Sequence, residues 1–438
     1  MGLGILGGGV ATARFLAKQG ADLTVTDMKS REFLEPSLKK LQDFPNIKFV
    51  LGEHKEEDFL HNEIIVVNPD VPVENKFVRL ARENGKKIEN ELSLFFKNCK
   101  SENTIGITGT RGKTTTTNWT AHLLWARIVG NSPENPFLGS GVESAQDENL
   151  VLEMPSFQLE LLGEYVEDEG YKLSPHIAVI TNLYRDHLNR HKTMEGYAKA
   201  KSNIFKFQNE NDFLILNKEN EWTDFFLKQN PRAQVVLVSK EDKYEFLDGE
   251  EFARNWGEHN LTNLLFGIVV ARILGIDESL IKERISSLTQ IKFRQEKIYD
   301  RDGLEIYNDT SATSPEGTMV AVERFRQYTN LVLIAGGTDR DLEYGAWANV
   351  VRKYVRPENL ILIAGSATEK MKKELSFDSY NEHDTLEECM AEAVAKARES
   401  GSTKNVILFS PGAKSFEKFK NEFDRGEQFN LIVNKILS

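Results

Sequence analysis

The chain has 438 residues, 40% hydrophobic and 28% charged, room for several domains at roughly 100–200 residues each. A formal net charge of −12 disfavours a nucleic-acid partner, because an acidic surface repels a phosphate backbone. Two cysteines, Cys99 and Cys389, lie far apart in no metal-ligand spacing and argue against a disulfide framework or a zinc site. With no apolar run of membrane length and no leader-like start, the expectation is a cytoplasmic protein that enters no membrane.

The chain opens on Gly2-Leu3-Gly4-Ile5-Leu6-Gly7, a GxGxxG followed by a helical stretch over 10–18 and by Asp27. Read alone, this motif predicts a dinucleotide site and would suit a nicotinamide-dependent dehydrogenase. The motif is weak without a strand in front of it, and here the sequence begins at Met1. Apolar, β-branched runs predict strands over 22–27, 64–68, 104–108, 150–153, 176–182 and 213–217. Further strands are expected over 305–309, 331–335, 360–364 and 406–410, with helices over 72–84, 113–125, 260–274 and 386–400. The alternation reads as α/β with mainly parallel sheets. A polar stretch over 97–103 and a junction over 289–294 suggest three domains: a Rossmann-like 1–99, a central phosphate-loop 100–290 and a Rossmann-like 291–438.

The strongest chemical signal is Gly106-Ile107-Thr108-Gly109-Thr110-Arg111-Gly112-Lys113-Thr114-Thr115, after an apolar strand and before a helix. Backbone N–H groups and a helix N-terminus there can cradle a phosphate. Lys113 would reach the β/γ-phosphates and the Thr114 hydroxyl would meet Mg²⁺. The first glycine stands one residue earlier than the strict pattern wants. With that displacement the loop resembles the ATP loop of the Mur ligases and their folylpolyglutamate synthetase relatives.

The resemblance continues along nearly the whole chain and implies the rest of the site. Glu153-Met154-Pro155-Ser156-Phe157-Gln158 is similar to the segment marking the D-glutamate-adding branch. It implies Glu153 as a Mg²⁺ ligand, with Ser156 and Gln158 near a nucleotide-sugar. Asn182 to His191 resembles the family's Asn-x-x-x-Asp-His segment, which makes His187 a ligand of a second Mg²⁺, supported by Asp186. A lysine that the family carbamylates falls on Lys201, with Lys199 the competitor by sequence alone. Asn260 and Asn263 would hydrogen-bond adenine, Arg294 the ribose or phosphates, and Asp309 the ribose.

The third domain would take the amino acid through Thr313, Arg340, Ser415 and either Phe419 or Phe423. Ser311 stands where many relatives carry lysine. The first domain would hold the uridine diphosphate, Gly4 and Gly7 at the diphosphate and Asp27 at the uracil, with Asn131 a further contact. The implied reaction consumes ATP with two Mg²⁺ ions and joins D-glutamate to UDP-N-acetylmuramoyl-L-alanine, in a monomer. The alternatives are a related ligase adding another amino acid and a non-catalytic nucleotide-binding paralogue.

Overall fold

A computed structural model describes residues 1–5, 7–130, 135–139, 141–164, 170–399 and 402–437. The chain forms two compact units, Met1–Leu247 with Asn260–Ser287 and Asp248–His259 with Leu288–Ser438.

In the first unit, β1 (Thr24–Asp27) pairs in parallel with β2 (Lys48–Leu51), and β3 (Ile64–Val66) with β4 (Lys87–Glu89). The first two residues lie between these pairs. Gly2 N donates to Thr26 O at 2.8 Å, Met1 N to Val66 O at 2.8 Å, and Asn68 N to Met1 O at 3.0 Å. These bonds tie Met1 and Gly2 to the strands on either side without making residues 1–4 a strand. The helix Gly8–Lys18 then packs Val10 and Ala13 on Leu3, Val25 and Leu34.

Six parallel strands follow: β5 (Thr104–Thr108), β6 (Arg127–Val129), β7 (Leu150–Glu153), β8 (Ile177–Ile180), β9 (Phe213–Asn217) and β10 (Gln234–Val238). Their order is β10-β9-β8-β5-β7-β6. Every residue of β5, β7 and β8 is buried, as expected of strands covered on both faces. Because β5 lies between β7 and β8, the loops leaving those three strands come together at one sheet end. That is where α/β sheets place their ligands.

The second unit holds β11 (Glu296–Arg301), β12 (Leu304–Asn308), β13 (Leu331–Gly336), β14 (Leu360–Ile363), β15 (Asn381–His383) and β16 (Asn405–Phe409). The order is β11-β12-β16-β13-β14-β15, antiparallel only between β11 and β12. The chain returns from β15 to place β16 beside β13, so the turns after these neighbours form the switch point of the sheet.

The α/β architecture with parallel sheets is thus as the sequence predicts. The helix expected over 72–84 is shorter, Lys76–Glu83, because the Asn75 side chain caps it by accepting from Phe77 N at 2.9 Å. Among the described residues no helix is long and apolar enough to cross a membrane.

Candidate active site

The phosphate loop runs from β5 into the helix Lys113–Leu124. Its glycines are demanded by packing within the chain. A Cβ on Gly106 would lie 2.6 Å from Met154 Sδ and 2.7 Å from Pro175 Cγ. One on Gly109 would lie 2.0 Å from Thr181 Oγ1, and one on Gly112 2.3 Å from Asn263 Oδ1. Gly112 also has φ +79°, a left-handed conformation that glycine adopts without strain. The displaced first glycine is therefore a strand residue that lets neighbours pack across β5.

Lys113 Nζ donates to the carbonyls of Gly109 at 3.0 Å and Thr110 at 3.2 Å. Beside it, Thr114 Oγ1 donates to Glu153 Oε1 at 3.2 Å, so the hydroxyl and carboxylate expected at one metal ion do meet. Thr110 and Thr115 are buried, and Thr110 Oγ1 accepts from Tyr184 N at 3.0 Å.

Lys201, 1% exposed, lies beneath this loop and donates to Gly109 O at 2.8 Å and Thr108 Oγ1 at 3.3 Å. Burial, and then the charge of Lys113, push its ammonium well below the usual lysine range. Lys199 is exposed, so of the two lysines it is Lys201 that meets the phosphate loop. The Tyr197 ring has Lys201 Nζ 4.7 Å from its centroid and the His187 ring at 5.9 Å, which brings both predicted residues to one aromatic wall.

His187 has φ +55° and caps the short helix Leu188–His191. Asp186 Oδ1 accepts from His187 N at 2.8 Å, and Asp186 Oδ2 pairs with Arg111 Nη1 at 3.1 Å. Burial would raise the Asp186 carboxyl, but His187 and Arg111 outweigh it and hold it below the usual range.

The Ser156 hydroxyl is within 3.0 Å of His191 Nε2, and His191 stacks on Tyr197 at 5.1 Å. Gln158 is buried, and its backbone carbonyl accepts from Asn90 Nδ2 at 2.8 Å. Neither His191 nor Arg190 was singled out from sequence. Arg190 holds Glu160 Oε2 at 2.6 Å and reaches Asp70 O at 3.1 Å and Val71 O at 3.0 Å. The Arg-His pair three residues after His187 is the signal that could have found them.

Asn260 and Asn263 sit on one turn of a helix, with Asn263 Nδ2 donating to Asn260 Oδ1 at 3.0 Å. Thr116 Oγ1 donates to Asn263 Oδ1 at 3.2 Å, so Asn263 braces the phosphate-loop helix, a role beyond the expected adenine contact.

In the amino-terminal part, Asp27 Oδ2 accepts from Gly4 N at 3.0 Å and Oδ1 from Lys29 N at 2.9 Å. Asp27 thus shapes the glycine turn itself, and Gly7 caps the following helix at φ +100°. Asn131 lies outside the described residues.

The second unit brings Ser415 and Phe419 together at the β13–β16 switch point. A pocket is lined by Gly337, Thr338, Lys414, Ser415, Phe419 and Arg425 among others. Ser415 is 2% exposed and its Oγ has no hydrogen-bond partner among the described residues. Lys414 Nζ donates to Thr313 Oγ1 at 3.1 Å. Phe419 lines this pocket, whereas Phe423 is 58% exposed and faces Phe293 at 6.3 Å. The Arg340 guanidinium lies 5.2 Å from the Phe416 ring centroid.

Arg425, missed from sequence, is 1% exposed and spends its guanidinium on Thr310 and on the carbonyls of Ala413 and Lys414. An arginine inside an amphipathic helix carries no sequence signal of that role. Asp309 accepts from Ser410 Oγ at 2.7 Å and from Gln295 N, next to Arg294, at 3.1 Å. Its burial raises the carboxyl to about 7 against these hydrogen bonds.

Residues 107–271 match the Mur ligase middle domain and residues 1–90 the MurD-like N-terminal domain of Mur ligases. UDP-N-acetylmuramoylalanine--D-glutamate ligase of Roseiflexus sp. is 36% identical over 99% of this chain and 97% of its own length. The like-named enzymes of Borreliella burgdorferi (strain B31) and Clostridioides difficile are 33% and 31% identical, over 100% and 99% of this chain and 97% and 98% of their own lengths.

Among solved structures, UDP-N-acetylmuramate-alanine ligase MurC of Thermotoga maritima superposes with a TM-score of 0.59 at 18% identity, covering 99% of this chain and 98% of its own. MurF of Acinetobacter baumannii gives 0.61 at 15%, covering 97% and 98%, which supports the fold. With a phosphate loop, a buried lysine and an acidic strand end at one sheet end, and with full-length relatives of one name, the chain belongs to the Mur ligase family.

Proposed function

We propose that this chain uses ATP to join D-glutamate to UDP-N-acetylmuramoyl-L-alanine in peptidoglycan precursor synthesis, as a monomer in the cytoplasm. The observation that carries the chemistry is the meeting of Lys113, Thr114, Glu153 and Lys201 around Gly109 and the end of β7. The L-alanine carboxylate attacks the γ-phosphorus and ADP leaves, giving an acyl phosphate. The amine of D-glutamate then attacks the acyl carbon, phosphate leaves, and the amine gives up a proton.

The loop amides and Lys113 bind the phosphates, and the Lys113 ammonium offsets charge on the group in transfer. Thr114 and Glu153 offer two hard oxygens in contact, the donor type Mg²⁺ takes while keeping waters and phosphate oxygens as its other ligands. His187, with Lys201, would hold the second ion. Bound Mg²⁺ would neutralise developing negative charge on the phosphoryl oxygens. The Lys201 amine, held neutral by burial, adds to CO₂ and releases a proton, which turns a neutral amine beside Lys113 into an anion.

On this reading Gly4, Gly7 and Asp27 serve the nucleotide end, with Asn131, Ser156 and Gln158 along the sugar. Asn260, Asn263, Arg294 and Asp309 serve ATP; Thr313, Arg340, Ser415 and Phe419 serve the amino acid. The division at 1–99, 100–290 and 291–438 gives each of the three substrates its own region. Ser311 favours a second reading, a ligase of this class with another amino acid, because it brings no charge to the amino-acid loop. The reaction class is tested by Lys113→Ala, expected to lower phosphate release at least about 100-fold. Near-normal turnover in that variant would overturn it.

A further inference from the structure

Arg111 joins the phosphate loop to the loop that carries His187. Its backbone is fixed, Arg111 N donating to Asn182 Oδ1 at 2.9 Å and Arg111 O accepting from Thr181 Oγ1 at 2.7 Å and Asn182 Nδ2 at 3.1 Å. From there Nη1 reaches Asp186 Oδ2 at 3.1 Å, and the other oxygen of that carboxylate accepts from His187 N at 2.8 Å. His187 holds φ +55°, a left-handed conformation that strains a residue with a Cβ. A freely exposed ion pair of this kind would matter little. Here both ends are already fixed, the arginine by its backbone and the carboxylate by the adjacent amide, so pairing orders few additional torsions.

We propose that Arg111 is a positioning residue: through Asp186 it holds the strained turn that carries His187, whose Nε2 lies 3.7 Å from the same Asp186 oxygen. The guanidinium and the imidazole thereby move as one unit with the loop that binds ATP. The geometric part stands on the contacts above; its effect on metal use rests on the proposed role of His187.

The test uses the full-length enzyme with Arg111→Met, Arg111→Lys, Asp186→Asn and the Met/Asn double variant. Amide hydrogen exchange of the segment carrying His187 is measured alongside the MgCl₂ concentration that half-saturates phosphate release. Arg111→Met and Asp186→Asn are each expected to speed exchange in that segment roughly tenfold, with Arg111→Lys close to wild type. The double variant is expected to be no faster than either single one, as for two members of one relay. The half-saturating MgCl₂ concentration should rise in parallel while KM for D-glutamate stays within about twofold.

Asp186→Asn leaves the charge of the phosphate loop in place, so it separates positioning from direct phosphate binding. Unchanged exchange in both single variants, or additive effects in the double, would overturn the proposal. If His187→Ala kept wild-type MgCl₂ dependence, the role given to His187 would fail, whatever the exchange data say about Arg111.

Discussion

Lys113 and Lys201 donate to the same carbonyl oxygen, that of Gly109, at 3.0 and 2.8 Å. Two side-chain amines at one oxygen, one of them almost without solvent, are not both comfortable as ammonium ions. Burial and Lys113 drive Lys201 toward the neutral amine, the form that reacts with CO₂.

The first prediction follows directly. In enzyme equilibrated with ¹³C-bicarbonate, a carbamate carbon signal should appear and should vanish in Lys201→Ala while persisting in Lys199→Ala. Turnover should fall at least about 100-fold in the former and less than about twofold in the latter. A carbamate signal that follows Lys199 would reverse the assignment.

The glycines of the phosphate loop divide by role. Gly106→Ala should destabilise the protein by about 1–3 kcal/mol in urea unfolding, because its methyl would overlap Met154 and Pro175. Folded Gly106→Ala should nevertheless keep its KM for ATP within about twofold, since residue 106 lies within the strand. Gly112→Ala, at positive φ and against Asn263, should instead raise that KM about tenfold or more.

Asp309 predicts a pH dependence of stability. Its folded carboxyl titrates at about 7, raised by burial from 3.8. Protonation therefore favours the folded state, and this contribution is full below the unfolded value and lost as pH rises through about 7. Asp309→Asn should match wild type near pH 4 and exceed it above pH 7 by about 2–4 kcal/mol in the urea-derived unfolding free energy. The same variant should bind ATP more weakly if the carboxylate meets the ribose. An identical pH profile in both proteins would refute the titration.

Ser415 offers the cleanest probe of the amino-acid pocket. Its buried hydroxyl makes no hydrogen bond among the described residues, so Ser415→Ala should change stability by less than about 1 kcal/mol. If the hydroxyl donates to a substrate carboxylate, KM for D-glutamate should rise about tenfold or more while KM for ATP holds steady. Parallel changes in both constants would point to a structural role instead.

The legible parts of this chain are those where local chemistry and sequence order coincide. The phosphate loop was legible in its own residues, whereas Glu153 at the end of β7 and His187 after β8 were implied by the family resemblance, each beside a fully buried strand. The short strands Lys87–Glu89, Arg127–Val129 and Asn381–His383 were missed, since three residues give too little pattern. Glu296–Arg301 was missed because an exposed, charged outer strand lacks the apolar signature. Arg425 and the bracing role of Asn263 were also out of reach. Both depend on contacts between segments more than one hundred residues apart, 115 for Arg425 with Thr310 and 147 for Asn263 with Thr116.

The most direct measurement is phosphate release from Mg-ATP with UDP-N-acetylmuramoyl-L-alanine, with and without D-glutamate, beside L-glutamate, L-lysine and meso-diaminopimelate. Release that requires the nucleotide-sugar and D-glutamate together is the expected result. Release with another amino acid would keep the chemistry and overturn the substrate, and no release from folded protein that binds ATP would contradict the ligase itself.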